Sequence, residues 1–215
     1  MPTISLPFIF ITSFVVAFSG ALVPGPVLAL TVNEATQRGF WAGPIIVLGH
    51  AIPELLVVIA LTRGASELMG SNLFSGIVGL VGGVILIGMG VMIIKRGRKI
   101  SLQLKTTQTP NRSRMLILTG ALATISNPYW FIWWATIGTT YTVWSLNMGI
   151  PGVVSFFSGH ILGDLVWYAL VSLIIASGRR ILSNTIYRGL LIACGIGLLA
   201  LGGYFTISGF RFLTG

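Results

Sequence analysis

Residues 42–61 read AGPIIVLGHAIPELLVVIAL, an unbroken apolar stretch that holds one histidine, His50, and one acid, Glu54, near its middle. A helix of about 20 mainly apolar residues crosses the hydrocarbon core of a bilayer, which is roughly 30 Å thick. Five further stretches of this kind follow or precede it. They cover residues 6–32, 73–94, 115–141, 150–176 and 187–210. The sequence therefore predicts an all-α integral membrane protein with six transmembrane helices.

The composition of the chain excludes several other classes of protein. Hydrophobic residues make up 54% of the 215 residues and charged residues only 8%, whereas about 25% is typical of a soluble domain. The formal net charge of +9 does not indicate a nucleic-acid partner, because the basic residues cluster between apolar stretches, where they set helix orientation. A single cysteine, Cys194, excludes an intrachain disulfide and a Cys-x-x-Cys redox pair.

The basic residues also predict how the chain is oriented. With six spans, the loops after the first, third and fifth share one side of the membrane and hold eleven of the thirteen lysines and arginines. The eleven are Arg38, Lys95, Arg96, Arg98, Lys99, Lys105, Arg112, Arg114, Arg179, Arg180 and Arg188, which leaves Arg63 and Arg211 opposite. Cytoplasmic loops carry the excess of positive charge. We therefore expect a multi-pass plasma-membrane protein with both termini outside the cytoplasm and a basic cytoplasmic loop at residues 98–114.

One motif occurs twice in the chain. The pattern Gly-His-x-x-x-acid-Leu stands at residues 49–55 and again at residues 159–165, an offset close to half the length. The halves, residues 1–97 and 115–215, would each contain three spans, so the second half enters the membrane from the opposite side. The sequence therefore predicts two inverted three-helix repeats, an architecture that recurs in secondary transporters.

The motif places two histidines and two acids inside predicted spans. A charge near the bilayer centre costs at least about 2.5 kcal/mol, so Glu54 and Asp164 should face a cavity or a partner. His50 and His160 each precede an acid by four residues, which puts both side chains on one helix face. We predict that the two acids carry protons across the membrane. The histidines either relay protons or act as ligands, or each only orients its own carboxyl group.

Two spans carry residues that interrupt a regular helix. Pro24, Gly25 and Pro26 fall within the first span, and Asn127 and Pro128 fall within the fourth. A proline lacks the backbone N–H that a helix needs and clashes with the preceding turn. Breaks at corresponding points of two repeats are the best sequence indication of a transport site. These five residues are therefore predicted to bind substrate, although simple kinks are the alternative.

An aromatic run follows the second break at once. Tyr129 directly follows Pro128 and is predicted to bind substrate with it, and Trp130, Phe131, Trp133 and Trp134 come next. Tryptophan in membrane proteins usually forms interfacial belts. We expect a belt or packing role for most of these rings, with lining of the transport pathway as the alternative.

The chain resembles the lysine exporter (LysE/RhtB-type) translocator family over essentially its full length. The resemblance rests on Pro24–Pro26, on Glu54 in the second span, on the basic central loop, and on the stretch 126–138 with its Asn-Pro pair. It implies efflux of amino acids or related small polar solutes, driven by the proton gradient, and it maps the family's intramembrane acid to Glu54. The family more often has aspartate there, and often lysine where this chain has Tyr129.

Two transport functions are consistent with these residues. The leading prediction is proton-coupled export of amino acids. The second is export of a divalent metal ion, held by the two histidines and two carboxyl groups, since imidazole and carboxylate suit transition metals. We predict no enzyme, because no catalytic motif occurs, and no cofactor, resident metal or nucleic-acid partner. The expected partners are a small solute and the lipid bilayer, and a homo-oligomer is compatible with both functions.

The predicted orientation can be tested by cysteine labelling. In a Cys194→Ser background, a membrane-impermeant thiol reagent should label Thr3→Cys from outside intact cells, and Thr107→Cys only after the membrane is opened. Labelling of both positions from the same side would contradict the six-span count.

Overall fold

The structure, a computed structural model, describes residues 5–64, 72–99, 112–178 and 184–214, and these are helical almost throughout. We number the helices in chain order. They are α1 Leu6–Ala21, α2 Pro26–Arg38, α3 Ala42–Thr62, α4 Asn72–Lys99, α5 Arg112–Ile125, α6 Pro128–Trp133, α7 Thr139–Leu146, α8 Gly149–Ser177 and α9 Asn184–Thr214. A 3-10 turn, Gly39–Trp41, joins α2 to α3, and a π-helical turn, Trp134–Gly138, joins α6 to α7.

The structure confirms an all-helical fold with several helices that could cross a membrane. Four helical runs are long and apolar enough to cross a membrane, namely Pro26–Thr62, Asn72–Lys95, Gly149–Ser177 and Gly195–Thr214. A fifth candidate is the bent pair Ser113–Ile125 and Pro128–Leu146. The remaining apolar helix, α1, has 16 residues, fewer than the roughly 20 of a typical span. Six spans therefore remain a prediction, and most of the predicted basic loop, residues 100–111, lies outside the described residues.

The first predicted span, residues 6–32, is not one helix. Helix α1 ends at Ala21 and α2 begins at Pro26, with Gly25 in an extended conformation as its N-cap. The fourth predicted span breaks in the same way, because Asn127 caps α6 and Pro128 is its first residue. Proline suits the first helical position, where a missing N–H has no cost. The two parts of this second broken span meet at 65°.

Glycines let two helix pairs approach closely. A Cβ atom on Gly49 of α3 would overlap the Ile117 carbonyl group of α5. In the same way, a Cβ atom on Gly159 of α8 would overlap the Phe10 carbonyl group of α1. Small residues at such positions allow backbones to touch where lipid provides no hydrophobic driving force. The repeated Gly-His motif thus begins, in both halves, with the glycine that brings α3 onto α5 and α8 onto α1.

The long helices α4 and α9 form a third pair. The spacing Gly79-x-x-x-Gly83 predicts a helix contact. The structure confirms it, since a Cβ atom on Gly79 would lie 2.7 Å from the Gly209 Cα atom. Gly83 of α4 and Gly202 of α9 face each other in the same pair. A Cβ atom on either glycine would lie 2.8 Å from the carbonyl oxygen of the other.

Packing of α4 on α9 predicts a contrast between two glycines of one helix. Gly79→Leu should lower stability by about 1–3 kcal/mol or more, because the new side chain meets backbone that cannot move aside. Gly88→Leu is the matched control, because a Cβ atom there meets nothing within 4 Å. Thermal unfolding of the two purified variants in detergent would measure the difference. Equal melting temperatures would contradict this account of the interface.

Candidate functional site

The two histidines and two acids of the repeated motif meet in one buried cluster. The Nε2 atom of His50 lies 3.1 Å from Glu54 Oε1 and 3.6 Å from Asp164 Oδ2. The Nε2 atom of His160 lies 3.3 Å from Glu54 Oε2 and 3.4 Å from Asp164 Oδ2. Both acids are only 2% exposed. Each imidazole therefore contacts both carboxyl groups, that of its own helix and that of the other.

A hydroxyl group fixes the orientation of His50. Thr124 Oγ1 lies 2.7 Å from His50 Nδ1 and also donates to the Gly120 carbonyl oxygen at 2.9 Å. A hydroxyl group has one proton to donate. When that proton goes to Gly120, Nδ1 of His50 must be the donor to Thr124. The Nε2 atom that faces the acids then has two possible states. It either carries the second proton of an imidazolium ion, or it accepts a hydrogen bond from a protonated carboxyl group.

Two tryptophans bind Glu54 directly. The indole N–H groups of Trp130 and Trp134 donate to Glu54 Oε1 at 3.1 and 3.3 Å. Trp134 starts the π-helical turn, a distortion that is frequent at functional sites. Of the expected belt or packing roles, the structure shows packing, because Trp130, Trp133 and Trp134 are buried in one core cluster. The centroid of the Trp133 ring lies 4.7 Å from that of His160, and Trp130 and Trp133 also line the cavity described next. A buried carboxyl group needs donors, and the aromatic run supplies them.

A small cavity connects the cluster with both helix breaks. It has a volume of about 40 Å³, enough for a few water molecules. Its wall includes the following residues named from sequence: His50, Glu54, His160, Asp164, Gly25, Asn127 and Tyr129. A Cβ atom on Gly25 would lie 3.1 Å from the Asn127 side-chain nitrogen, so the two breaks face each other across this cavity.

The three prolines of the breaks do not line this cavity. Pro24 packs near Gly197 of α9, and Pro128 packs against Gly82 of α4. Pro26 borders a second, larger cavity. The prolines therefore interrupt the helices but lie outside the cavity wall. Gly25 and Asn127 line the cavity and present backbone and amide groups to it.

Comparison with known proteins identifies the family. The sequence model of the family described as "LysE type translocator" matches residues 18–209. The chain belongs to the LysE-type translocator family. It is a multi-pass membrane transporter, and the resemblance inferred from its sequence is confirmed.

Two curated relatives of this LysE-type translocator are 24% identical to it. One is "Putative amino acid efflux protein YcgF" of Bacillus subtilis (strain 168), aligned over 96% of this chain and 99% of the relative. The other is "Chemotactic transduction protein ChpE" of Pseudomonas aeruginosa, aligned over 91% and 96%. No solved structure matches the translocator.

Several residues of the translocator's site carried no sequence signal. Thr124 and Tyr168 line the cavity, yet a lone threonine or tyrosine in an apolar helix is ordinary. Ser19 accepts the Trp133 indole N–H on its hydroxyl oxygen at 2.9 Å and the Tyr129 hydroxyl group on its carbonyl oxygen at 3.0 Å. The aromatic run after Asn-Pro is the sequence feature that could have indicated the two contacts of Ser19, because Tyr129 and Trp133 belong to it.

The contact between Thr124 and His50 predicts a loss of stability. Thr124→Val keeps the shape but leaves Nδ1 of His50 buried without a partner, which should cost about 1–3 kcal/mol. Thr119→Val is the matched control, since Thr119 lies on the same helix and bonds only to carbonyl oxygens one turn back. Melting temperatures in detergent would compare the variants. An equal, small decrease in both would show that the contact with His50 contributes nothing to stability.

Proposed function

We propose that the protein exports amino acids by proton antiport. The observation that carries the proposal is the single cavity that joins the His-carboxylate cluster to both helix breaks. The cluster offers groups that exchange protons, and the breaks offer backbone and amide groups for a solute. If a proton and a substrate compete for the same small cavity, inward movement of the proton can drive outward movement of the substrate.

The proton part of the proposal rests on Glu54, Asp164, His50 and His160. The buried cluster holds two acids and two bases. Their charges cancel when each histidine carries the proton that a carboxyl group has lost, or when all four groups are neutral. A proton that enters from one side can therefore reside on any of four groups within 3.6 Å of a neighbour. Release to the other side requires only that the cavity open there.

The substrate part of the proposal rests on the helix breaks, with Pro24, Pro26 and Pro128 creating them. Helix α1 ends at Ala21, which lines the cavity. The carbonyl end of a helix carries a partial negative charge and therefore suits the ammonium end of an amino acid. The first N–H groups of α2, which begin at Val27 beside the cavity, suit its carboxylate end. The Asn127 amide and Tyr129, which line the cavity, would contact either end of the solute.

We further propose the six-span topology with inverted repeats and both termini outside the cytoplasm. In this arrangement α1, although short, completes a broken first span together with α2. The pairings α3 with α5 and α8 with α1 support the repeat, because in each the Gly-His helix of one half packs on the first helix of the other half.

Export of a divalent metal ion is the second candidate. Ligand atoms of His50, Glu54 and Asp164 all lie within 4.8 Å of one another. Nε2 of an imidazole and carboxylate oxygens are ordinary ligands of transition metals. The helix breaks would have no direct role in that function, so we place it second.

Proton coupling predicts the effect of conservative changes at the acids. Glu54→Gln and Asp164→Asn should each reduce gradient-driven efflux at least tenfold while leaving a folded protein, because each keeps the shape and removes titration. Glu67→Gln, which the sequence places in a loop, is the control and should transport normally. The assay is uptake of labelled amino acids into everted vesicles, with and without a proton gradient.

Two outcomes of this assay would overturn the proposal. If gradient-driven uptake survives in the Glu54→Gln, Asp164→Asn double variant, the acids are structural. If vesicles accumulate zinc or manganese ions but none of the amino acids, the metal-export candidate replaces amino-acid export.

A further inference from the structure

A second and larger cavity lies between α2, α4 and α5. Its volume is about 420 Å³, and alanine, leucine, isoleucine and methionine side chains form most of its wall. Asn33, Thr119 and Ser126 supply the polar side chains among the described lining residues. A mainly apolar wall with a few polar groups is typical of small-molecule sites of 300–1,000 Å³.

This cavity reaches the helix breaks from the other face of the same helices. Pro26, the first residue of α2, and Ser126, directly before Asn127, both line it. From there it extends along α2 to Asn33 and along α5 to Thr119. Those directions lead to the ends of α2 and α5 that carry Arg38 and Arg112. In the proposed topology the cavity therefore occupies the cytoplasmic half of the protein.

The charges around the cavity decide what it can hold. No charged side chain occurs among the described residues of its wall. The adjacent acid, Glu34, is already bound, because its Oε2 atom lies 2.6 Å from Arg38 Nε and its Oε1 atom accepts a hydrogen bond from Asn33. A cationic side chain placed here would lose its hydration without gaining a counter-ion.

We propose that this cavity receives the apolar side chain of a neutral amino acid as it binds from the cytoplasm. The inference rests on the proposed function and specifies its substrate class. The charged ends of the solute would bind at the helix breaks, and the larger cavity would supply the space that its side chain needs. The translocator therefore selects neutral amino acids with aliphatic or aromatic side chains over lysine and arginine.

A lipid acyl chain is the other occupant that the shape admits. Met92 and Leu122 are each 51% exposed at the outer rim, on the side that lipid would cover. An acyl chain gains nothing from Asn33, Thr119 or Ser126, however, and does not explain why the cavity reaches both breaks. Variants of the cavity wall distinguish the two occupants, because only an amino-acid side chain makes substrate exchange depend on that wall.

Substrate counterflow with the purified full-length protein in liposomes tests the proposal. Liposomes loaded with unlabelled leucine should exchange it for labelled leucine. External leucine, methionine and phenylalanine should compete at concentrations at least tenfold lower than lysine or arginine. Equal or better competition by lysine would overturn the inference while leaving amino-acid export intact. Absence of exchange with any amino acid would overturn both.

Two kinds of variant test the cavity itself. Asn33→Asp adds a carboxylate to the wall and should improve lysine competition relative to leucine at least tenfold. Met92→Trp should fill part of the cavity and reduce leucine exchange at least fivefold. Val91→Trp is the matched control, because Val91 neighbours Met92 on α4, is exposed and does not line the cavity. Unchanged leucine exchange in Met92→Trp and unchanged competition in Asn33→Asp would assign the cavity to lipid and overturn the proposal.

Discussion

Four titratable side chains share one buried space, and none of them could stay there alone. A single buried carboxylate or imidazolium loses its hydration, and breaking such a pair by removing one partner costs about 3–5 kcal/mol. Glu54 avoids this cost because both imidazoles and two indole N–H groups surround it. The cluster exists only if α3 and α8 place their motifs side by side, so the helix packing of the protein is arranged around it.

Glycines make that arrangement possible. Gly49 and Gly159 precede the two histidines, and each lets its helix press against the backbone of a neighbour. The neighbours, α5 and α1, are the helices that end at the two breaks, one before Asn127 and the other before Gly25. One short motif therefore determines both the position of the titratable groups and their distance from the breaks, which explains why cluster and breaks share a cavity.

The sequence predicted the helical membrane fold and the members of the cluster because each rests on a local rule. Apolar length predicts spans, and a histidine four residues before an acid predicts a shared face. It could not predict that Trp130 and Trp134 donate to Glu54, because a tryptophan after a break is equally typical of a belt and the contact depends on how the helix after the break lies against α3. Thr124 was missed because its role depends on α3 and α5 meeting. The break in the first span was predicted from Pro24, Gly25 and Pro26, although α1 already ends at Ala21, before the first of these residues.

The proposed repeat also allows the two helix breaks to be compared residue by residue. If Pro26 corresponds to Pro128, then Val27 corresponds to Tyr129. The Tyr129 hydroxyl group donates to the Ser19 carbonyl oxygen and ties α6 to α1. Val27 has no hydroxyl group, so its side chain cannot make the corresponding hydrogen bond from α2 to α5. A transporter built from two similar halves must differ between its sides in any one state. Under the proposed repeat, Tyr129 and Val27 are one such difference, because the Tyr129 hydroxyl group joins α6 to α1 and the Val27 side chain cannot join α2 to α5 in this way.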